Sequence, residues 1–194
     1  SPEVALQLIL SLRPLWLAGG HALEALAGLA AILADENQSG IAPAVWVGAV
    51  AYQGTLAGWT GIPMELDRAQ RALTVARELA DPALILRTLI ACGMLALYSP
   101  DAAQRYFAEA IDLARAAGDR WSLCQISSYQ ATVCMVGGEP AAAVAAATAG
   151  RDLADELGDH FFSRNNRTWL STALMMEGEL TEAGSLIDAL VDDA

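Results

Sequence analysis

The amino-acid sequence predicts an all-α protein, a right-handed α-solenoid of about five antiparallel helix pairs. The first observation is a repeated run: residues 128–132 read SYQAT, and residues 168–172 read TWLST. The second is the spacing of the turn positions, because Pro63, Pro100, Pro140 and Leu180 are 37, 40 and 40 residues apart. A fixed period of this size is typical of repeat arrays. The third is that no stretch alternates apolar and polar residues over the length of a strand.

Apolar residues at three- to four-residue steps indicate the individual helices. The first begins at Ser1-Pro2, a hydroxyl cap before a proline, and Pro14 should kink it or split off its last turn. Residues 35–43 are polar and rich in turn residues, and they predict a flexible loop. The expected helices span residues 1–17, 21–34, 44–58, 63–80, 82–97, 100–117, 120–136, 140–157, 160–177 and 180–191.

Capping residues mark the boundaries of the central helices. Asp81-Pro82 and Ser99-Pro100 each place a capping side chain before a proline that suits the first helical position. Gly118-Asp119 and Gly158-Asp159 each combine a helix stop with the cap of the next helix. Short helix–turn–helix units of this kind predict side-by-side hairpins that share one continuous interior.

Composition and charge exclude several classes of function. The chain has 194 residues and a net charge of −12, and its 11 basic residues are all arginine. The absence of lysine excludes a Walker-type phosphate loop and a Schiff-base lysine. The negative charge argues against direct binding of nucleic acid by this chain.

Cysteine usage and hydropathy indicate where the protein resides. Cys92, Cys124 and Cys134 form no CxxC pair, so we expect reduced, buried thiols in a cytoplasmic protein. The apolar run over residues 4–12 is too short to span a bilayer, and we expect no membrane partner. The start without methionine and the end at Ala194 lead us to expect a single repeat domain, residues 1–194, taken from a longer multidomain protein.

Small residues at matching positions carry a resemblance to a known family. Ala103, Phe107 and Ala110 form an A-x3-F-x2-A pattern, and a small residue recurs in each preceding helix. This pattern resembles the tetratricopeptide repeat (TPR), which implies a TPR-like superhelix of helical hairpins. The recurring small residues are Gly54, Ala91, Ala131 and Ser171.

The period, composition and helix endings of the repeats also resemble the repeat segment of large ATP-dependent LuxR-type transcriptional regulators. The similarity covers the chain from about residue 40 and includes helix endings of the form LA-x-x-L-G-D, as in residues 153–159. In that family a nucleotide-binding module precedes the repeats and a helix-turn-helix module follows them. The resemblance implies a regulatory segment that senses an effector or partner and communicates with other domains of the same polypeptide.

Inward-facing positions of the first helices predict a concave groove for a peptide, a protein partner or a small effector. Two of these helices present an amide, two hydroxyls and a thioether in the same order. Polar residues that merely line a wet groove are the alternative interpretation. The candidate groove residues are Thr55, Thr88, Cys92, Gln125, Ser128, Thr132, Met135, Asn165, Thr168, Thr172 and Met175.

Other conspicuous residues have structural interpretations. Tyr52, Tyr129 and Trp169 share one register and favour packing between repeats over ligand binding. Arg87, Arg164 and Arg167 either bind a carboxylate of a ligand or pair with acidic residues of the chain, and we favour the second.

The histidines and the acidic cluster also have simple explanations. His160 suits a helix start better than a metal site, and no cofactor is expected. The acidic cluster is expected to be a solvated helix face; its members are Asp152, Asp155, Glu156 and Asp159.

No catalytic motif is found, so we expect a non-enzymatic protein. The alternatives are a free-standing scaffold that assembles partner proteins and an enzyme with an unrecognised site between helices. The end helices, residues 4–17 and 180–191, are expected to expose apolar faces and to allow a homodimer.

Overall fold

The computed structural model describes residues 1–34 and 40–192. Throughout that part of the chain the structure is helical and contains no strand, which confirms the predicted all-α class. The eleven helices of the described residues are α1 (Pro2–Ser11), α2 (Arg13–Ala18), α3 (Ala22–Leu33), α4 (Pro43–Thr60), α5 (Leu66–Glu78), α6 (Pro82–Leu95), α7 (Pro100–Ala117), α8 (Arg120–Val136), α9 (Pro140–Leu157), α10 (His160–Glu177) and α11 (Leu180–Asp192).

The chain forms two compact units, Ser1–Ala96 and Leu97–Ala194, which we call unit 1 and unit 2. In unit 1, helix α4 is the central element, and it packs against α1, α3, α5 and α6. Its core includes Leu29, Val50 and Leu56, all fully buried. In unit 2, α9 packs against both α8 and α10, and α11 completes the last pair with α10. The prediction of a single domain over residues 1–194 stays a prediction.

The predicted boundaries of α7 to α10 agree with the structure residue for residue. Asp119 and Asp159 cap the helices that follow them, each by accepting a backbone N–H of the first turn. Gly118 and Gly158 adopt left-handed φ values of 66° and 69°, a conformation that glycine reaches without a Cβ penalty. Local backbone chemistry therefore determines the lengths of these helices.

Prolines affect two of the predicted helices, one as expected and one not. The first helix splits, as Pro14 predicted: it breaks at Leu12 and α2 begins one residue later, because Pro14 has no N–H to donate to the carbonyl of residue 10. Helix α5 begins at Leu66, three residues after the predicted start at Pro63. The predicted caps Ser1 and Ser99 form no side-chain hydrogen bond. The predicted loop lies partly in residues 35–39, outside the described part.

The small residues that recur with the repeat period are buried. Gly54, Ala91, Ala131 and Ser171 are all in the interior, and a Cβ atom on Gly54 would lie 3.1 Å from that of Ala91. In the second helices of the pairs, Ala72, Ala110 and Gly150 are buried as well. Small side chains at these positions let neighbouring helices of a unit approach closely, as the repeat register predicts.

Candidate functional site

The predicted groove residues of unit 1 lie in the interior. Thr55 and Thr88 are 6% and 0% exposed, and each hydroxyl donates to the carbonyl four residues earlier in its own helix. Cys92 is fully buried. These three side chains already have their polar groups satisfied or hidden, so they do not offer an open surface to a ligand.

In unit 2 the structure brings two predicted groove residues into contact. The Nδ2 atom of Asn165 in α10 donates a hydrogen bond of 3.3 Å to the Oγ atom of Ser128 in α8. Ser128 is fully buried beneath this contact, whereas Asn165 is half-buried. Helices α8 and α10 therefore lie side by side along the predicted row, with the amide of one repeat covering the hydroxyl of the preceding one.

Toward the C-terminal ends of α8 and α10 the predicted row opens to solvent. Thr132, Met135 and Thr172 are half-buried, Thr168 is exposed, and Met175 is 44% exposed. The threonine hydroxyls each donate to a backbone carbonyl of their own helix. We call the accessible residues the polar row; its members are Thr132, Met135, Asn165, Thr168, Thr172 and Met175.

Gln125 is turned into the interior of unit 2. It is 8% exposed, and its Nε2 atom donates to the Tyr129 hydroxyl at 3.1 Å. A glutamine that satisfies a buried tyrosine contributes to stability, and its truncation would affect folding as well as any ligand. The repeat pattern predicts that Gln125 and Asn165 occupy equivalent positions in successive repeats and are equally accessible. The neighbouring helices bury Gln125 more than Asn165, so their accessibilities differ.

The repeated aromatic residues serve packing, as predicted. Tyr129 is fully buried and meets the ring of Phe162 edge to face, with centroids 6.3 Å apart. Tyr52 is 8% exposed in unit 1, and Trp169 packs beside Leu170 and Leu174 in unit 2. None of these rings forms an exposed platform on which a ligand could stack.

The acidic cluster at the end of α9 is more than a solvated face. Asp155 pairs with Arg167 at 3.2 Å, and Glu156 pairs with Arg120. Asp159 accepts the indole N–H of Trp121 at 2.9 Å while capping α10.

These contacts fix the starts of α8 and α10 against the end of α9 and favour a structural role. The pairing of Arg167 also confirms the favoured interpretation of that arginine. The sequence contains a signal for these contacts in the spacing of the partners. Arg120 precedes Glu156 by 36 residues, and Trp121 precedes Asp159 by 38, which is about the length of one repeat.

The cysteine thiols are unsuited to nucleophilic chemistry. Burial raises the pKa of both Cys92 and Cys124 to about 12, and the carboxylates of Asp159 and Asp155 add to the effect at Cys124. Burial also raises the pKa of Cys134. A thiol must ionise to attack a substrate or bind a metal, so these groups remain protonated and unreactive near neutral pH.

No three His, Cys, Asp or Glu side chains in residues 1–34 and 40–192 come together in a way that could hold a metal ion. Over the same residues, every helix is too short or too polar to traverse a lipid bilayer. His160 is the first residue of α10, as its position beside the cap Asp159 predicted.

Comparison with known proteins gives a functional context. No protein-family model matches the chain. The chain is 42% identical, over 98% of its length, to proteins from Mycobacterium tuberculosis and Mycobacterium bovis that are each named "Putative HTH-type transcriptional regulator". It spans 22% of the length of each of these relatives. The chain is therefore similar to one segment of a much longer type of protein that is named as a regulator of transcription.

Proposed function

We propose that this chain is a non-catalytic regulatory segment of a LuxR-type transcriptional regulator, and that it binds an effector or a protein partner. The observation that carries the proposal is the 42% identity over nearly the whole chain to proteins named as transcriptional regulators. The repeat period and helix endings, which resemble those of LuxR-type regulators, support the assignment to this type of regulator. Such a protein would act in the cytoplasm, where the nucleotide-binding and DNA-binding modules of the same polypeptide would be its partners.

A role in sensing fits the chain better than a role in reading DNA. Its net charge of −12 repels a phosphate backbone. We expect the isolated chain to leave duplex DNA unbound at physiological salt in an electrophoretic mobility assay. Salt-sensitive binding of duplex DNA in that assay would contradict this part of the proposal.

The binding surface that we propose is the polar row of unit 2. Asn165, Thr168 and Thr172 present an amide and hydroxyls to solvent, and Met175 adds an adaptable apolar group at the end of the row. Polar groups that converge beside apolar contact area suit a peptide or a small effector. Buried, protonated thiols support a binding role over a catalytic one.

A chimeric regulator tests the proposal. The matching segment of a Mycobacterium tuberculosis relative is replaced by this chain, and transcripts are compared between the chimera and a strain that lacks the regulator. The variant carries Thr168→Arg with Thr172→Arg, which places bulk and charge on the polar row. Thr74→Arg, on an exposed position of α5, is the matched control.

We expect the parent chimera and the Thr74→Arg control to give the same transcript profile, and the row variant to change the regulated transcripts several-fold. Immunoblotting must show equal amounts of the three proteins. If the row variant behaves as the parent does, the polar row is not the binding surface. If the parent chimera matches the deletion strain at normal protein level, the regulatory assignment itself is wrong.

A further inference from the structure

The C-terminal ends of α8 and α10 repeat one pattern of side chains. Each end carries a threonine, a methionine three residues later and a glutamate four residues after that, and the two copies are 40 residues apart. We call these six residues the open end; they are Thr132, Met135, Glu139, Thr172, Met175 and Glu179. At the same register of α4 and α6, the methionine positions hold Gly58 and Leu95. The glutamate positions hold Ile62 and Ser99, so the pattern is confined to α8 and α10.

The structure places the two copies side by side. Helices α8 and α10 pack against each other, and Asn165 donates to Ser128 at 3.3 Å across their contact. The threonines of the open end follow on the same faces, one turn beyond this hydrogen bond on α8 and two turns beyond it on α10. The backbone N–H groups of Glu139 and Glu179 each donate, at 2.9 Å, to a carbonyl in the last turn of the preceding helix. Both glutamates therefore lie directly beside the ends of their helices.

The open end is accessible to solvent. Met175 is 44% exposed, Met135 and the two threonines are half-buried, and both glutamates are exposed. Glu139 occupies the N-cap position of α9, but its side chain forms no capping hydrogen bond. Within residues 1–34 and 40–192, neither glutamate pairs with an arginine, so both carboxylates remain available to a ligand.

The charge around the open end is negative. Helix α8 contains no basic residue after Arg120, and α10 contains none after Arg167, whose guanidinium group is engaged by Asp155. Arg167 precedes Met175 by eight residues, which is about 12 Å along the helix, and the exposed Arg164 lies almost one turn further away. The carbonyl groups at the C-terminal ends of the two helices add partial negative charge. The open end therefore attracts a cation and repels an anion.

We propose that the open end binds a primary ammonium group on an alkyl chain, supplied either by a lysine side chain of a peptide or by a free polyamine. This inference rests on the proposed function, because it names the ligand chemistry of the polar row. The carboxylates of Glu139 and Glu179 neutralise the ammonium group. The thioethers of Met135 and Met175 contact the methylene groups, since methionine adapts its shape to an apolar chain and the ammonium group can stay in water.

Nuclear magnetic resonance of isotope-labelled methionine methyl groups tests this site. The chain has five methionines; the signals of Met135 and Met175 report on the open end, and Met64 is the reference in unit 1. The titrants are hexamethylenediamine, lysine blocked as its N-acetyl methylamide, and hexanediol as the uncharged analogue of the diamine. All titrations are made at neutral pH and constant ionic strength.

We expect saturable shifts of the Met135 and Met175 signals with at least one amine, and no saturable shift with hexanediol or at Met64. The two amines distinguish a polyamine from a lysine side chain as the source of the ammonium group. The absence of saturable shifts with both amines overturns the proposal. An equal response to hexanediol also overturns it, because the charge of the ligand would then play no part.

Paired variants test the role of the carboxylates. Glu139→Gln with Glu179→Gln should weaken binding of the amine about fivefold. Glu78→Gln with Asp112→Asn is the matched control, because it removes the same charge from exposed positions of α5 and α7, and it should leave the affinity nearly unchanged. Equal affinities of all three proteins, or equal weakening in both variants, would show a general charge effect and overturn the proposal. All four positions are exposed, so the result does not depend on a variant that fails to fold.

The chimeric regulator separates this inference from the proposed function. If neither amine binds while Thr168→Arg with Thr172→Arg still changes the regulated transcripts, the ammonium site is wrong and the regulatory proposal stands. If an amine binds at the open end and that variant leaves the transcripts unchanged, the site stands and its regulatory role is wrong.

Discussion

Gly150 of α9 faces the side-chain amide of Asn166 in α10 so closely that a Cβ atom on residue 150 would lie 2.5 Å from Oδ1. Asn166 is fully buried, and its Nδ2 atom donates to the Phe162 carbonyl at 2.8 Å. We therefore expect Gly150→Ala to destabilise the protein by about 1–3 kcal/mol through overpacking, despite the better helix propensity of alanine. Urea unfolding measures the change.

Two companion variants identify the cause of that loss. Asn166→Ala opens space beside residue 150. Gly150→Ala should therefore lower the free energy of unfolding less in the Asn166→Ala background than in the parent. Gly184→Ala is the matched control, because a Cβ atom at this helical glycine would meet nothing within 4 Å. It should stabilise by about 0.5–1 kcal/mol. If both glycine variants stabilise the protein equally, the close approach of α9 and α10 is wrong.

Ala131 tests the repeat register at the centre of unit 2. It is fully buried and packs with Ala147, Leu170 and Leu174. Ala131→Phe should lower the free energy of unfolding by about 1–3 kcal/mol because the interior has no room for a ring. Ala149→Phe, on an exposed position of α9, should change it by less than about 0.5 kcal/mol. Matching thermal melts of Ala131→Phe and the parent would refute this register.

Stability should decline at alkaline pH. The pKa of Cys92 and of Cys124 is raised to about 12 in the folded state, against about 8.5 for an ordinary thiol in the unfolded chain. The unfolded state therefore loses these protons first. The contribution of the two protonated thiols to the free energy of unfolding is complete below about pH 8.5, and it is lost as the pH rises toward 12. The expected slope is at most about 1.4 kcal/mol per pH unit for each thiol.

Urea unfolding at pH 7.5, 8.5, 9.5 and 10.5 measures this effect. The double variant Cys92→Ala with Cys124→Ala should show a flatter dependence, although its stability at pH 7.5 is lower because of the lost packing. Tyr52, whose pKa is also raised to about 12, should leave a residual decline that begins near pH 10. A free energy that stays constant to pH 10.5 in the parent would be inconsistent with thiols that are protonated in the fold.

Helix α11 carries an apolar stripe that should support self-association. Leu180, Ile187 and Val191 lie on one face and are 67%, 39% and 69% exposed. Ile187→Glu with Val191→Glu should reduce any concentration-dependent increase of mass in light scattering, because charge opposes burial of this face. Ser185→Glu, on an exposed position of the same helix, is the control. A parent that stays monomeric at high concentration would contradict the predicted homodimer.

Much of the fold could be predicted from sequence because its boundaries depend on local chemistry. Pro100 and Pro140 each occupy the first position of a helix, and Gly118 and Gly158 end helices in the left-handed conformation. The prediction was less accurate at α5, where Pro63 lies before the helix and Glu65 is the capping position. A proline is compatible with the first helical position but does not by itself mark it.

The candidate site was less predictable, because exposure depends on packing between helices. Gln125 and Asn165 occupy equivalent positions 40 residues apart, yet Gln125 is buried and Asn165 is half-buried. The register of the repeat identifies which residues are equivalent. It does not reveal that Asn165 covers Ser128, or that Thr55 and Thr88 satisfy their hydroxyls within their own helices.

The hydrogen bonds within α8 and α10 determine the chemical polarity of the polar row. The hydroxyl protons of Thr132, Thr168 and Thr172 are directed at backbone carbonyls at 3.2, 2.9 and 2.8 Å. The hydroxyl oxygens of these threonines therefore present only lone pairs, which accept hydrogen bonds, to a bound molecule. A molecule that binds through them must bring its own acidic hydrogens, as an amide, an ammonium or a guanidinium does, and a guest made only of acceptors would find no donor among the three threonines.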